Sequence, residues 1–298
     1  MAGINRRDAM FGMGAAALGS ALLTGAGQVQ PGAGQEAKKG KVIKTGRLKQ
    51  SASLWCYQRR GVSLLDLCKA AVEMGLPAID LVKVEEWEVT RQHGLAASVG
   101  MVGAGTIENG LNNKDYHETI VKAFETNIPL AAKAGVPNVI VFFGNRRGMG
   151  DAEAIDNSVT CLNRAKKVAE DHGVTIVIEL LNSKVNHKDY IGDRTSYGVQ
   201  IVKAVNSPRV KLLYDIYHMQ IMEGDVISTI RENHQHIAHY HTGGVPGRNE
   251  IDETQELYYP AICRAILETG FTGYLAHEFI PKRDPITSLR EAAALCDV

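Results

Sequence analysis

Four residues stand where a run of apolar, β-forming residues gives out. They are Glu179 after Ile176-Val177-Ile178, Asp215 after Leu212-Leu213-Tyr214, His241 after Ala238-His239-Tyr240, and Glu278 after Leu275-Ala276-His277. Any one of them alone could be a salt-bridged strand terminus. Three carboxyl groups and an imidazole gathered in one place cannot all be buried bare, because mutual repulsion and lost hydration would protonate them or open the site. A divalent cation removes that difficulty. Three oxygens and one nitrogen without a thiolate favour Mg²⁺ or Mn²⁺ and admit Co²⁺, Fe²⁺ or Zn²⁺. Such a centre can act as a Lewis acid on oxygens bound to it, with carboxylates beside it able to take or return a proton.

Bringing four strand ends together requires parallel strands that finish on one face. From Leu48 onward, short β-rich runs alternate with longer helical ones, and eight strands are predicted: Ser51–Tyr57, Ala78–Val82, Ala96–Val102, Asn138–Phe143, Thr175–Leu180, Val210–Ile216, Ile237–His241 and Gly273–Phe279. Runs such as Val139-Ile140-Val141-Phe142-Phe143 are apolar throughout, as strands buried on both faces should be. Helices are expected over Asp115–Lys133 and Asp151–Asp171, each with an Asp placed to cap the first turn and the second closed by Gly173. Eight β-α units in about 250 residues match one α/β TIM barrel, (β/α)8, whose reactive groups lie at the C-terminal ends of its strands. A doubly wound sheet is disfavoured, since no G-x-G-x-x-G follows the first strand.

The chain has 298 residues, 45% of them apolar, with 33 basic and 33 acidic side chains. With no net positive field, nucleic acid is not an expected partner. Six basic and two acidic residues fall within 1–46, leaving the remainder at −4. Five scattered cysteines without a C-x-x-C read as buried, reduced thiols rather than a disulfide framework or zinc knuckle. Arg6-Arg7 before the apolar, Gly/Ala-rich run Gly12–Gly27 resembles a twin-arginine export signal, so residues 1–27 are expected to be a leader and the destination periplasmic. That run is too short to span a bilayer stably. Residues 28–46 read as a flexible linker and 47–298 as the barrel.

Glu179-Leu-Leu-Asn182, Tyr214-Asp215-Ile-Tyr-His218, His239-Tyr-His241-Thr-Gly-Gly-Val-Pro-Gly-Arg248 and His277-Glu278-Phe-Ile-Pro281 together resemble the hydroxypyruvate isomerase group of xylose-isomerase-like TIM barrels. The resemblance implies metal ligation by Glu179, Asp215, His241 and Glu278, with Glu179 and Glu278 also exchanging protons with substrate. It further implies that His218 and Arg248 contact the substrate, a small hydroxy-carbonyl acid such as hydroxypyruvate, interconverted with tartronate semialdehyde through an enediolate. Barrels of that superfamily commonly pair. In one departure, hydroxypyruvate isomerases can carry Gln where this chain has His241, while sugar epimerases of the same superfamily carry His. In another, the second substrate-contacting Glu of the epimerases is Val185 here.

Several residues keep two readings. Arg248 offers a fixed fork for a carboxylate, or an ion pair with Glu250 or Asp252. His218 meets substrate or orients a ligand. Trp55 and Tyr57 wall the pocket or fill the core, and Asn145-Arg146-Arg147-Gly148 binds anions or is a solvated loop. The competing functions are a ketose 3-epimerase or aldose-ketose isomerase on neutral sugars, a metal-dependent phosphodiesterase, and a binding protein without turnover.

Overall fold

The computed structural model describes residues 40–298. The expected leader, 1–27, lies outside the described residues, as does most of the expected linker. In chain order the elements are β1 (Lys49–Ser53), α1 (Leu54–Gln58), α2 (Leu64–Met74), β2 (Ala78–Asp80), β3 (Val82–Lys83), α3 (Trp87–Gln92), β4 (Ala96–Ala97), β5 (Gly100–Met101), α4 (His117–Ala134), β6 (Asn138–Phe142) and α5 (Asp151–His172). They continue with β7 (Thr175–Glu179), α6 (Thr195–Val205), β8 (Val210–Asp215), α7 (Ile216–Met222), α8 (Val226–Asn233), β9 (Ile237–Thr242), α9 (Tyr259–Glu268), β10 (Tyr274–His277) and α10 (Pro285–Cys296). Every strand pairs in parallel with its neighbours. β2 with β3, and β4 with β5, are two broken strands, so ten segments make eight staves. β1 pairs with both β10 and β2, and this closes the ring expected of a TIM barrel.

Strand alternation divides the apolar residues into two sets. Ile176, Ile178, Leu212, Tyr214 and Tyr240 face the helices in the larger core, whereas Val99, Ile140, Val177 and Leu213 form a separate plug inside the barrel. Residues in phase with that plug, Glu179 and Asp215, therefore point inward. On β9 the register slips where Leu212 pairs with Ile237 but Leu213 with His239. This bulge re-phases the strand so that His239 and His241 both reach the acidic groups of the interior.

Three local expectations are corrected. The first strand stops at Ser53, and Trp55-Cys56-Tyr57 lie within helix α1 instead of prolonging it. The helix predicted from Asp115 starts at His117; Asp115 lies in a 3-10 turn, where its N–H donates to the Asn113 side chain. Asp151 opens α5 behind a Gly150 cap, and its carboxylate is taken by Arg146 and Arg194. Gly173 does close α5, in the left-handed conformation.

The described part of the expected linker is docked rather than free. Ile43 is buried, and the N–H groups of Val42 and Ile43 donate to the Met74 carbonyl. Asp297 accepts from the backbone of Lys44, Thr45 and Gly46. Low local hydrophobicity hid this anchoring, which is made by backbone donors. Among the described residues no helix is long and apolar enough to cross a membrane.

Candidate metal and substrate site

Glu179 ends β7, Asp215 ends β8, His241 lies near the end of β9 and Glu278 follows β10. The four side chains offer ligand atoms that all lie within 4.8 Å of one another, and all are buried. His241 is the hub. Its Nδ1 lies 3.1 Å from Glu179 Oε1 and 2.6 Å from Glu278 Oε2, so the two glutamates meet at one nitrogen. Asp215 is shared between two tasks: Oδ1 accepts the His218 N–H and caps α7, leaving Oδ2 to face the cluster.

Arg248 enters the cluster from the loop after β9. Its Nη2 donates to Asp215 Oδ2 at 3.0 Å and to Glu278 Oε2 at 2.5 Å, and Nε reaches the Glu278 carbonyl at 3.3 Å. The guanidinium also lies over the rings of Trp55 and Tyr217, 5.3 and 5.4 Å from their centroids. The loop that delivers it is tight. A Cβ on Gly244 would strike the Glu250 carbonyl, and Arg248 itself has φ of 58°. The alternative pairing with Glu250 or Asp252 is not made: Glu250 accepts from Lys282, Arg283 and Ser288, and Asp252 binds Arg283.

His218 is fully buried beside the cluster. Its Nδ1 accepts the Asn182 backbone N–H at 3.1 Å, so the neutral ring carries its proton on Nε2. That Nε2 has no hydrogen-bond partner and lies 3.6 Å from Asp215 Oδ2. Burial, reinforced by the Arg248 charge, holds this ring well below the ordinary histidine range and therefore neutral. Asn182 fixes the loop in turn, since its Oδ1 accepts from Val185 and Asn186. Val185 is exposed. His187 packs beside His218 at 5.3 Å between centroids and is outside the four-residue cluster.

Charge is balanced unevenly. Burial raises Asp215 well above the usual carboxylate range and raises Glu179, with the neighbouring Glu278 charge adding to both. Burial opposes ionisation of Glu278 too, but Arg248 and His241 outweigh it and keep that carboxylate charged. Burial likewise opposes charge on His241, yet Glu278 and Asp80 hold the imidazole protonated far above its ordinary range. The charged Glu278 carboxylate is thus held between an imidazolium and a guanidinium, while Glu179 and Asp215 hold their protons more tightly. A hard divalent cation fits the same oxygens, supplying in one ion the positive charge that two side chains now bring.

Of the other singled-out residues, Trp55 belongs to the site, its Nε1 donating to Glu278 Oε1 at 2.6 Å, whereas Tyr57 is core and packs against Phe279. Arg146 pairs with Asp151, and Arg147 bonds Asn109 and Asp189, so that loop is occupied by its own contacts. His277 points away from the interior and bonds Gln50. Sequence reasoning missed Asp80, which approaches His241 Nε2 at 3.0 Å and His239 Nε2 at 3.1 Å from inside the barrel. The available signal was an acidic residue within the apolar run Ala78-Ile79-Asp80-Leu81-Val82. A cavity of about 550 Å³ between the 250–260 loop and α10 lies apart and contains none of the four residues.

Comparison with known proteins agrees with this architecture. The chain is 25% identical to a putative hydroxypyruvate isomerase of Homo sapiens over 173 residues, which is 56% of this chain and 62% of that protein. It is 25% identical to the 2-oxo-tetronate isomerase of Pectobacterium atrosepticum, with 74% of this chain and 88% of that one aligned. The crystal structure of a protein titled AP endonuclease, family 2, from Brucella melitensis superposes with a TM-score of 0.73 at 22% identity, covering 81% of this chain and 97% of that one. Residues 66–297 match a single family description, and the chain belongs to the xylose isomerase-like TIM barrels.

Proposed function

We propose that this barrel is a divalent-metal-dependent isomerase of small hydroxy-carbonyl acids, interconverting hydroxypyruvate and tartronate semialdehyde or a close analogue. The observation that carries the reading is the meeting of Glu179 and Glu278 at His241 Nδ1, which places two buried carboxyl groups across one small volume. Relatives named as isomerases of such acids support it.

Glu179, Asp215 and Glu278 oxygens with His241 Nδ1 would hold the cation. When bound there, a divalent cation supplies the Lewis acidity that stabilises an enediolate. The chain's own groups do the rest. One glutamate takes the C3 proton of hydroxypyruvate and the other returns a proton at C2, while the hydroxyl proton passes from O3 to O2. His218, neutral with its Nε2–H free, donates to the oxygen that gains negative charge. Arg248, already on two carboxylates, is the cation to meet the substrate's carboxylate in exchange. A neutral ketose would not satisfy it.

The test uses the full chain with Mn²⁺ and hydroxypyruvate in D₂O, followed by NMR, with Glu278→Gln alongside. Tartronate semialdehyde carrying carbon-bound deuterium, formed only with metal and lost in the variant, is the expected result. Turnover no greater than the variant's refutes hydroxypyruvate as substrate, and turnover of neutral ketoses instead establishes the rival epimerase or sugar isomerase.

A further inference from the structure

Asp80 is fully buried and faces the barrel interior, yet it stands outside the four-residue cluster. Each of its oxygens is engaged. Oδ2 accepts from Ser53 Oγ at 3.0 Å and lies 3.0 Å from His241 Nε2; Oδ1 accepts from Ser98 Oγ at 2.6 Å and lies 3.1 Å from His239 Nε2. The hydroxyls come from separate staves, Ser53 on β1 and Ser98 between β4 and β5, so the carboxylate is braced from two sides. The residue after it, Leu81, has φ of 53°, a left-handed conformation that a branched side chain adopts at a cost of about 1 kcal/mol or more. That break divides β2 from β3 directly after Asp80.

An imidazole can carry its proton on either nitrogen, and its ring can turn over. Only one arrangement serves the cluster, with Nδ1 toward Glu179, Asp215 and Glu278 and free of hydrogen. A carboxylate accepts and cannot donate, so the His241 nitrogen facing Asp80 must hold the hydrogen. We propose that Asp80 is a positioning residue that fixes the proton of His241 on Nε2 and presents Nδ1 as the ligand nitrogen. This rests on the reading above that the cluster takes a divalent cation. His239 supports the arrangement from its edge-on position against His241, 5.1 Å between centroids with the planes at 86°. Asp80, His239 and His241 also approach closely enough to be considered a second cation site. The serine hydroxyls already on both Asp80 oxygens favour an orienting role over direct ligation.

The experiment titrates Mn²⁺ into the full chain and reads free Mn²⁺ by electron paramagnetic resonance, with no substrate present. One ion per chain is expected, and Asp80→Asn should bind it roughly 10- to 100-fold more weakly, as loss of a partner behind a ligand histidine does. Ser98→Ala removes one brace without touching a histidine and should weaken binding by a smaller factor, which keeps the test decisive if Asp80→Asn does not fold. On the Zn²⁺-loaded, ¹⁵N-histidine-labelled chain, the His241 resonances should report a metal-bound Nδ1 and a protonated Nε2. Equal affinity in wild type and both variants overturns the inference while leaving the isomerase reading standing. A second equivalent of Mn²⁺ that disappears in Asp80→Asn also overturns it, in favour of a ligand role. A wild type that binds no Mn²⁺ refutes both readings together.

Discussion

Replacing Arg248 by Gln separates the charge-balancing role of this residue from any role in turnover. The guanidinium is nearly buried, with Nη2 within 3.0 Å of Asp215 and 2.5 Å of Glu278. At an effective dielectric constant of 20, the contact with the charged Glu278 carboxylate is worth about 7 kcal/mol of attraction before desolvation is subtracted. Removing one partner of a buried pair typically costs about 3 to 5 kcal/mol, because the remaining charge is left uncompensated. Gln preserves bulk and faces the same left-handed backbone, so the loss is chiefly electrostatic. At this chain length, about 2 °C of melting temperature accompanies each kcal/mol, giving a fall of about 6 to 10 °C. Scanning calorimetry in EDTA near neutral pH should show it. Mn²⁺ at a thousand times its dissociation constant should then return about 4 kcal/mol. A melting temperature within 2 °C of wild type in EDTA, or a full loss that Mn²⁺ leaves unrepaired, refutes the idea that arginine and cation serve the same carboxylates.

Two further outcomes follow from groups outside the cluster. Burial holds His277 neutral down to about 3, against an ordinary value of 6.5. The unfolded chain therefore takes up a proton below pH 6.5 that the folded chain refuses. Stability should fall with acid by about 1.4 kcal/mol per pH unit through the window from 6.5 to 3. Urea unfolding from pH 7 to 4 should show a shallower decline in His277→Asn, and identical slopes would contradict the assignment. Burial also pushes Cys68 up to about 11 and Cys161 up to about 12, and all five thiols are buried and free. Ellman's reagent should find no fast-reacting thiol in the native protein and five after denaturation; one fast thiol would show a breathing segment.

The residues whose placement was most legible in the sequence were those that stand at a local change of character. Glu179, Asp215, His241 and Glu278 each follow an apolar run, so placing the strands also placed them. Asp80 was hidden because its strand reads as unbroken through Val82. What ends the strand is the left-handed turn at Leu81, a residue type with no preference for that conformation. Trp55 to Tyr57 look like β residues by aromatic content, but the barrel turns there into a helix that carries Trp55 to Glu278. The partners of Arg248 were equally obscure. Glu250 and Asp252 are nearer along the chain, whereas Asp215 and Glu278, 33 and 30 residues away, become neighbours only when the barrel closes. Spacing reveals contacts within a helix or hairpin, not which distant charges a loop will reach.

The closing seam, where Lys49 pairs with Tyr274, also sets the order in which the protein can be finished. While the chain is being synthesised, β1 waits as an unpaired sheet edge for a partner more than two hundred residues downstream, a contact that folds slowly and exposes the edge meanwhile. Glu278 belongs to that same final stave. The four-residue cluster is therefore incomplete until Glu278 has been made and the ring has closed, so any cation it takes would be loaded only after that closure.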